Sequence, residues 1–454
     1  MAAARESIDP STVLHKYLPR DLTRSVLARI PLVTMVLDVV GRGRWTIRIE
    51  RGEVSLDVGA IKHPTCSIRT DAATLADMLL GHRSGVEAFL AGDLVARGSL
   101  ATVLQIGGAF APEAELPTRA HSREVSALGV RTAYLEAGPA DGRPVVLLHG
   151  LGATNASMLP VLADLAKDHR VISPDTPGFG ASEAPPWTYT AEQMFRWVRS
   201  FLDAVDARGA VVIGNSMGGR LALELALRDP DAVDRLVLLC AAPAFRRFRQ
   251  LAPVAGHLPI NLSARLPFGP PRPVLIAGLK AMFADPSRLP ASWYDAAIDE
   301  FIIAMKDPAH RRAAFSATLN IYTDEAFGET GFWDRLPQLA VPALFIWGAA
   351  DRLVPPKFAR YVSEALPQAE SVVIPDSGHV PQFEHPELTM RLTRSFLSPG
   401  RRHIPADRVL RQWKKESDAT HPLRSLLPAC RARWHAAAVR PGHVLRRLHR
   451  ADRA

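Results

Sequence analysis

A serine in a glycine-rich turn is the residue whose setting most directly suggests chemistry. Ser216 lies in VVIGNSMGGRLALELALRDP (211–230), where a β-branched apolar run stops at a turn and a helix-forming run begins at once. A serine hydroxyl is a poor nucleophile at neutral pH and needs a neighbouring base, which in turn needs an orienting group. The pattern Gly214-Asn-Ser-Met-Gly218 is typical of a sharp strand-to-helix turn, in which small flanking residues let strand and helix approach. It predicts that Ser216 is a nucleophile; an ordinary turn serine is the alternative.

Two residues further along the chain complete a candidate triad. Asp351 lies in WGAADRLVP, just after the apolar run ALFIWG, and His379 lies in DSGHVPQFEHP, just after SVVIPD. We predict that His379 takes the proton of Ser216, and that Asp351 fixes the tautomer of the imidazole and stabilises its charged form. Asp376, three residues before His379, is a rival for the acid. We prefer Asp376 as the cap of a turn at the end of its strand.

A glycine-containing loop is predicted to stabilise the oxyanion. His149-Gly150-Leu151-Gly152 follows the apolar run VVLLH. Negative charge develops on the substrate carbonyl oxygen in the transition state, and backbone N–H groups stabilise it. We predict the N–H groups of Leu151 and Met217 as these donors, with His149 and Gly150 as structural support for the loop. This set of residues implies no metal and no organic cofactor.

The elements between these residues predict how they meet. Continuous apolar runs alternate with helical patterns, which favours parallel strands buried on both faces and helices on both sides of the sheet. Residues at the ends of such strands share one edge of the sheet. The block at about 243–335 interrupts this rhythm with Pro-rich and helical stretches, and we interpret it as a helical cap. Phe268 and Trp293 are candidates for lining a site beneath it. The predicted strands are 145–149, 170–175, 210–215, 235–240, 343–348 and 371–376.

The first part of the chain has a different pattern. Apolar residues recur at period two in RWTIRIE (44–50), EVSLDV (53–58) and TCSIRT (65–70), as expected of strands with one buried face. Asp71 is placed to cap the helix that follows. These features predict an antiparallel sheet with helices. The chain is thus divided into a first domain (1–112), a linker (113–124), a second domain (125–398) and a basic tail (399–454).

The basic character of the chain belongs to its tail. Residues 401–454 hold 14 Lys or Arg and 4 Asp or Glu, so their net charge of +10 accounts for the +9 of the whole chain. We expect a solvated, largely flexible tail. Contact of its runs RVLRQWKKE (408–416) and HVLRRLHR (443–450) with an anionic membrane is the alternative. No nucleic-acid-binding fold accompanies the charge, so no nucleic acid is expected as a partner.

Composition also bears on the compartment. The first ten residues contain charges and no apolar core, so no secretory signal is predicted. No run of about 18 uncharged apolar residues occurs, so no transmembrane helix is predicted. Cys66, Cys240 and Cys430 lack metal-ligand spacing and favour free thiols in a reducing compartment. We expect a cytoplasmic protein, with peripheral membrane contact as the open alternative.

Residues 125–242 and 336–398 resemble the α/β-hydrolase fold family. The resemblance implies an α/β fold with a mostly parallel sheet, helices on both faces and a cap. It does not fix the reaction, because this family also includes lyases, peroxidases and non-catalytic members. The landmarks are LLHGLGA (147–153), PDTPGFGAS (174–182), GNSMGG (214–219), WGAADRLVP (347–355) and GHVPQFEHP (378–386).

The first domain resembles the sterol carrier protein family of lipid-binding domains. The resemblance lies in HPTCSIRTDAATLADMLLGHRSGVEAFLAGDLVARGSLATVLQIGG (63–108). It implies an α+β fold with an apolar tunnel for acyl chains or sterols. A domain of this kind that serves only for folding or dimerisation is the alternative.

Together these features predict a serine hydrolase that cleaves a carboxylic ester of a hydrophobic, acyl-chain or lipid-like substrate through Ser216, Asp351 and His379. A carbon–carbon bond hydrolase acting on a ring-cleavage dienone is one alternative, since GNSMGG resembles those enzymes too. However, HGLGATN lacks their usual Gly-Pro-Gly-Ala run, and Val380 replaces the aromatic residue that commonly follows their histidine. A non-enzymatic lipid carrier with a vestigial hydrolase domain is the other alternative.

Overall fold

The computed structural model describes residues 32–51, 53–109, 116–245, 270–398 and 403–420. The first domain is built on a five-stranded sheet in the order β3-β2-β1-β4-β5. Its runs with period-two alternation form strands as predicted, and Ile47 and Ile49 of β2 point into the core. Only β1 and β4 pair in parallel; the other neighbours are antiparallel. The strands are β1 (Leu32–Val39), β2 (Gly43–Glu50), β3 (Glu53–Val58), β4 (Cys66–Thr70) and β5 (Leu94–Gly98).

Three helices cover one face of this sheet, and their starts are fixed by local capping. Asp71 accepts hydrogen bonds from the N–H groups of Ala73 and Thr74, which confirms its predicted role as a cap. Ser84 and Glu87 form a reciprocal capping box at the start of the second helix. The helices are α1 (Ala72–Leu79), α2 (Gly85–Ala91) and α3 (Leu100–Ala109).

The second domain contains an eight-stranded sheet in the order β13-β12-β11-β10-β8-β9-β7-β6. Strands β8 to β13 are parallel where they pair with one another, and the hairpin of β6 and β7 closes one edge in antiparallel fashion. β6 begins at His121, inside the segment 113–124 that the sequence predicted as a linker. The strands are β6 (His121–Ala127), β7 (Val130–Ala137), β8 (Pro144–Leu148), β9 (Arg170–Pro174), β10 (Ala210–Asn215), β11 (Val233–Leu239), β12 (Ala343–Gly348) and β13 (Glu370–Ile374).

Helices pack on both faces of the large sheet, and the described part of the cap is helical, as the sequence predicted. Within the predicted cap, residues 246–269, and Phe268 with them, lie outside the described residues. The sheet helices are α4 (Leu159–Leu165), α5 (Ala191–Ala204), α6 (Met217–Arg228), α11 (Lys357–Ala365), α12 (Pro381–Glu384) and α13 (Pro386–Leu397). The cap helices are α7 (Arg272–Lys280), α8 (Ala291–Ala304), α9 (Pro308–Thr323) and α10 (Phe332–Arg335). Short 3₁₀ turns occur at Asn155–Met158, Pro230–Ala232, Pro286–Arg288 and Leu336–Gln338.

The start of the basic tail differs from the prediction. Instead of a flexible segment, a helix α14 (Ala406–Thr420) follows the last sheet helix. Ala406 and Val409 are buried, and Leu410 and Trp413 pack against the core of the protein. Burial of this apolar stripe stabilises the helix despite its high charge. The prediction for the second basic run, 443–450, lies outside the described residues.

No helix among the described residues is long and apolar enough to cross a membrane.

The two domains contact each other through the cap. Helix α8 lies against the first domain, where Asp299 accepts hydrogen bonds from Arg97 (2.7 Å) and from the N–H of Gly98 (3.0 Å). One residue further on, Glu300 accepts a bond of 2.7 Å from the N–H of Leu100, at the start of α3. We refer to these five residues as the domain joint. No pattern in the sequence indicates whether the two domains touch.

Candidate active site

Ser216 stands at a strained turn between β10 and α6. Its φ of +53° and ψ of −113° lie in a region that residues with a side chain rarely adopt. Its own N–H donates to the carbonyl of Leu239, and its carbonyl accepts from the N–H groups of Arg220 and Ala242. The backbone of Ser216 is therefore held on both sides, and the side chain lines a large cavity beneath the cap.

The glycines around Ser216 are required by close approach. A Cβ atom on Gly214 would lie 2.4 Å from the carbonyl oxygen of Gly218. A Cβ on Gly218 would lie 2.1 Å from the carbonyl oxygen of Leu148 in β8. Such distances are well inside van der Waals contact. The turn thus has the packing that the Gly-x-Ser-x-Gly pattern indicates.

The structure brings His379 and Asp351 together. Nδ1 of His379 lies 2.7 Å from Oδ2 of Asp351, and both side chains are buried. The other oxygen of Asp351 accepts bonds from the N–H groups of Leu353 (2.8 Å) and Val354 (2.9 Å). This pairing leaves Nε2 as the ring nitrogen available to a nucleophile. His379 lines the same cavity as Ser216.

Asp376, the rival for the acid, is exposed and is not among the hydrogen-bond partners of His379 in the described residues. Its backbone carbonyl accepts from Arg288 and from His385.

Two residues that sequence reasoning missed hold the loop of His379. Asn215, just before Ser216, donates through Nδ2 to the carbonyls of Leu239 (2.9 Å) and of His379 (3.1 Å). Glu384 accepts a bond of 2.6 Å from the N–H of Gly378 and one of 2.7 Å from the N–H of Ala284 in the cap. Asn215 therefore connects the turn of Ser216 to the loop of His379, and Glu384 connects that loop to the cap. In the sequence, the only indication of these roles is that Asn215 lies beside Ser216 and that Glu384 lies close to His379.

The predicted oxyanion loop lies against Ser216. A Cβ atom on Gly150 would be 3.4 Å from Cβ of Ser216, so the loop backbone and the serine are in contact. Met217 is the first residue of α6, where backbone N–H groups have no acceptor within the helix. In the part of the chain that the structure describes, no backbone carbonyl accepts from the N–H of Leu151 or of Met217. Both groups are suitable donors for an oxyanion.

His149 is buried behind this loop. Its Nε2 accepts a bond of 2.9 Å from the N–H of Thr176, so Nδ1 carries the proton and donates to the carbonyl of Gly150 (2.8 Å). Complete burial lowers the pKa of His149 to about 4, so the ring is neutral at ordinary pH. It fixes the loop and stands apart from the acid–histidine pair. Asp175 supports the same region by accepting bonds from the N–H groups of Asn155 and Ala181.

A third buried group, Cys240, lies beside the acid–histidine pair. Ligand atoms of Cys240, Asp351 and His379 lie within 4.8 Å of one another. Burial and the charge of Asp351 raise the pKa of the Cys240 thiol well above its ordinary value. A protonated thiol is a poor metal ligand and a poor nucleophile. The geometry therefore favours packing as the role of Cys240.

The cavity in front of Ser216 is large and mostly apolar, with a volume of about 510 Å³. Its wall includes the predicted oxyanion loop, the loop of His379 and the cap helices α7 and α8, with Trp293 among the lining residues. Among the described lining residues none is Lys or Arg, and Glu300 is the only acidic side chain. A site of this size and composition suits a hydrophobic small molecule.

Comparisons with known proteins identify the class of this protein. A model of the alpha/beta hydrolase family matches residues 145–392, more than half of the chain. A model of the SCP-2 sterol transfer family matches residues 19–111. The chain belongs to the alpha/beta hydrolase family and carries an SCP-2 sterol transfer domain ahead of its hydrolase domain. Both resemblances and the predicted fold class are confirmed.

Individual relatives and solved structures show which hydrolases the chain is similar to. The chain is 32% identical over 283 residues to 2-hydroxy-6-oxo-6-(2'-aminophenyl)hexa-2,4-dienoic acid hydrolase of Metapseudomonas resinovorans, covering 61% of this chain and 90% of that protein. The solved structure of a serine hydrolase involved in carbazole degradation, CarC, matches with a TM-score of 0.51 and 29% identity, over 61% of this chain and 98% of its own. That of a membrane phospholipase A matches with a TM-score of 0.52 and 24% identity, over 72% of this chain and 94% of its own, which supports the fold alone.

Proposed function

We propose that this protein is a serine hydrolase that cleaves a carboxylic ester of a hydrophobic substrate, with Ser216 as nucleophile. The contact between His379 and Asp351 supports a base with a fixed tautomer, and the strained turn presents Ser216 to the same cavity. A serine whose hydroxyl comes within hydrogen-bond reach of such a base is activated for attack on a carbonyl carbon.

In the acylation step, Oγ of Ser216 attacks the acyl carbon while Nε2 of His379 takes the hydroxyl proton. The carbonyl π pair moves to oxygen, and the N–H groups of Leu151 and Met217 stabilise the resulting oxyanion. When the tetrahedral intermediate collapses, the bond to the alcohol oxygen breaks and His379 returns its proton to the leaving alcohol. An acyl group remains on Ser216. Asp351 stabilises the imidazolium throughout.

Deacylation repeats these steps with water. His379 takes a proton from a water molecule as its oxygen attacks the acyl carbon, and the same two N–H groups hold the second oxyanion. Collapse breaks the bond to Ser216, whose oxygen regains the proton from His379. The carboxylic acid is released and the enzyme is restored.

The single observation that carries the choice of substrate is the apolar cavity of about 510 Å³ without a basic side chain among its described lining residues. An acidic substrate would bring a carboxylate into this wall beside Glu300, where the described lining residues offer no Lys or Arg to pair with it, which is costly for a buried charge. A neutral ester with an apolar acyl group meets no such penalty. The SCP-2 sterol transfer domain ahead of the hydrolase domain also supports a hydrophobic, lipid-like ligand.

A second candidate is cleavage of a carbon–carbon bond in a ring-cleavage dienoic acid. It is favoured by the 32% identity to the dienoic acid hydrolase of Metapseudomonas resinovorans. The same nucleophile, base and oxyanion donors would serve that reaction. The two candidate reactions differ in whether the substrate carries a carboxylate: the dienoic acid does, and the neutral ester does not.

The deciding experiment measures hydrolysis of para-nitrophenyl esters of butanoic, octanoic, dodecanoic and hexadecanoic acids beside turnover of a dienoic acid with the carbon skeleton named for that relative. Wild type, Ser216→Ala and the matched control Ser173→Ala are compared. Ser173 is a buried serine of β9 outside the cavity, and within the described residues its hydroxyl has no hydrogen-bond partner.

We expect ester hydrolysis that falls by a factor of about 10⁴ or more in Ser216→Ala and is unchanged in Ser173→Ala. Efficient dienoic acid turnover with weak ester cleavage would instead establish the second candidate. Ester cleavage that survives in Ser216→Ala would contradict the nucleophile, and with it the mechanism.

A further inference from the structure

Two cavities meet at the contact between the domains. The hydrolase cavity of about 510 Å³ contains Ser216 and His379 in its wall. A second, almost wholly apolar cavity of about 50 Å³ lies inside the SCP-2 domain, between its sheet and its helices. Phe89 and Leu100 line both. These two side chains of the first domain are therefore a partition between the interior of that domain and the site of the second.

The smaller cavity is too small to hold a lipid in this conformation. An apolar cavity of about 150 Å³ accommodates a single benzene ring, and the space inside the SCP-2 domain is a third of that. The larger cavity, about ten times the size of the smaller one, is the one that has room for an acyl chain. The first domain thus contributes part of the wall of the larger, hydrolase cavity.

Phe89 is held firmly in that wall. Its ring stacks on Trp293 of the cap at a centroid distance of 4.8 Å, and Nε1 of Trp293 donates to the carbonyl of Phe89 (3.2 Å). Trp293 in turn meets Phe383 edge-on at 4.8 Å. Phe383 lies four residues after His379 and lines the same cavity. A row of three rings therefore connects the SCP-2 domain to the histidine loop.

Leu100 is fixed by its backbone. It is the first residue of α3, and its N–H donates to the buried carboxylate of Glu300 in the cap (2.7 Å). Its side chain is 5% exposed. A substitution of the side chain leaves this backbone bond in place, so the wall can be altered while the domain joint is kept.

We propose that the SCP-2 domain completes the substrate cavity of the hydrolase, and that Phe89 and Leu100 determine how long an acyl chain the enzyme accepts. This inference rests on the proposed function, because it assigns the acyl group of the ester to the cavity in front of Ser216. Each methylene that leaves water for an apolar wall contributes about a fourfold gain in binding. Acyl chains that end against Leu100 gain binding affinity from this contact, whereas longer chains collide with Leu100.

The test compares the same four para-nitrophenyl esters on wild type, Leu100→Ala, Leu100→Trp and the control Val103→Ala. Val103 lies on the same helix and lines the small cavity but not the large one. We expect Leu100→Ala to open the partition and raise kcat/KM for hexadecanoate relative to butanoate by about tenfold. Leu100→Trp is expected to lower that ratio by a similar factor. Val103→Ala is expected to leave it unchanged.

A second readout does not depend on catalysis. Binding of the neutral alcohols hexanol, decanol and tetradecanol to Ser216→Ala protein is measured by calorimetry, with and without Leu100→Trp. Loss of affinity confined to the long alcohol supports the wall even if no ester is hydrolysed, which would separate failure of the proposed function from failure of this inference. Length profiles of both Leu100 variants that superimpose on wild type, or an equal shift in Val103→Ala, would overturn it. Leu100→Phe, a smaller enlargement of the same side chain, serves in place of Leu100→Trp if that variant does not fold.

Discussion

Two buried glutamates, Glu224 and Glu300, show how differently the hydrolase core and the domain joint are held. Glu224 of α6 accepts hydrogen bonds from three arginines, of which Arg335 binds both of its oxygens, at 2.7 and 3.0 Å. Burial alone would raise its pKa, but the bonds from Arg335 and the charges of Arg220 and Arg228 lower the pKa of Glu224 to about 2. It is a permanent anion at any ordinary pH.

Among the described residues, Glu300 has no such cationic partners. The described residues give it hydrogen bonds from two backbone N–H groups only, those of Leu100 (2.7 Å) and Ala101 (3.4 Å). Burial raises the pKa of its carboxyl, and these bonds offset the shift only in part. A carboxylate without a cation is the weaker attachment, because desolvation of the charge is not compensated. The helix that follows Ser216 is thus fixed by buried ion pairs, whereas the buried carboxyl of the domain joint, Glu300, is held by backbone N–H groups and has a raised pKa.

Among the substitutions that test this contrast, Glu224→Gln is expected to have the largest effect on stability. The substitution removes the charge that three buried or half-buried arginines face, and we expect it to lower the free energy of unfolding by about 3–5 kcal/mol at neutral pH. Calorimetric or denaturant-induced unfolding measures it. Glu192→Gln is the matched control, since Glu192 is an exposed partner of Arg228 and its loss is expected to cost no more than about 1 kcal/mol. Equal effects of the two would contradict the core role of Glu224.

The pH dependence of the unfolding free energy provides a second test of the contrast between Glu224 and Glu300. The pKa of Glu224 lies near 2 in the folded protein and at its ordinary value of 4.5 in the unfolded chain. Its contribution is therefore complete above pH 4.5 and is lost as the pH falls toward 2. By linkage the loss amounts to about 3 kcal/mol. The difference in unfolding free energy between wild type and Glu224→Gln should shrink across this window; a difference independent of pH would refute the assigned pairing.

Glu300→Gln should behave in the opposite way. Because the folded pKa of Glu300 is raised, its contribution is greatest at low pH, where the carboxyl is protonated in both states, and is lost as the pH rises through that pKa. We expect a loss of about 1 kcal/mol in acid that diminishes toward alkaline pH. Unfolding measured at about pH 4 and about pH 8 provides the comparison. A penalty that grows with pH would mean that the backbone N–H groups outweigh burial.

Much of the candidate site was predictable because its residues follow buried strands. Ser216, Asp351 and His379 each come just after an apolar run, and the carboxyl ends of parallel strands share one edge of a sheet. The acid was the one uncertain member, because Asp376 and Asp351 both follow strands. Only the folded geometry shows which carboxylate reaches the imidazole.

The domain joint could not be predicted. In ASWYDAAIDEFIIA (291–304), Asp299 and Glu300 have the pattern of solvated charges on a helix, and their partners lie about two hundred residues away in the sequence. No local spacing encodes such a contact. The helix at 406–420 was missed for another reason: Val409, Leu410 and Trp413 have helical spacing, but the surrounding charges suggested a solvated segment.

The smallest expected effect concerns the outer edge of the domain joint. The side chain of Arg97 is about half exposed where it pairs with Asp299, and Asp299 keeps its bonds from Arg272 and from the N–H of Gly98 without it. We therefore expect Arg97→Ala to lower the unfolding free energy by only about 0.5 kcal/mol. Salt of about 1 M, with a Debye length of about 3 Å, should abolish that difference. Arg44→Ala, whose exposed pair with Asp38 lies within the first domain, is the control. If Arg97→Ala proved as damaging as Glu224→Gln, an exposed ion pair would contribute as much to the domain joint as buried ion pairs contribute to the hydrolase core, which would contradict the contrast between the two regions.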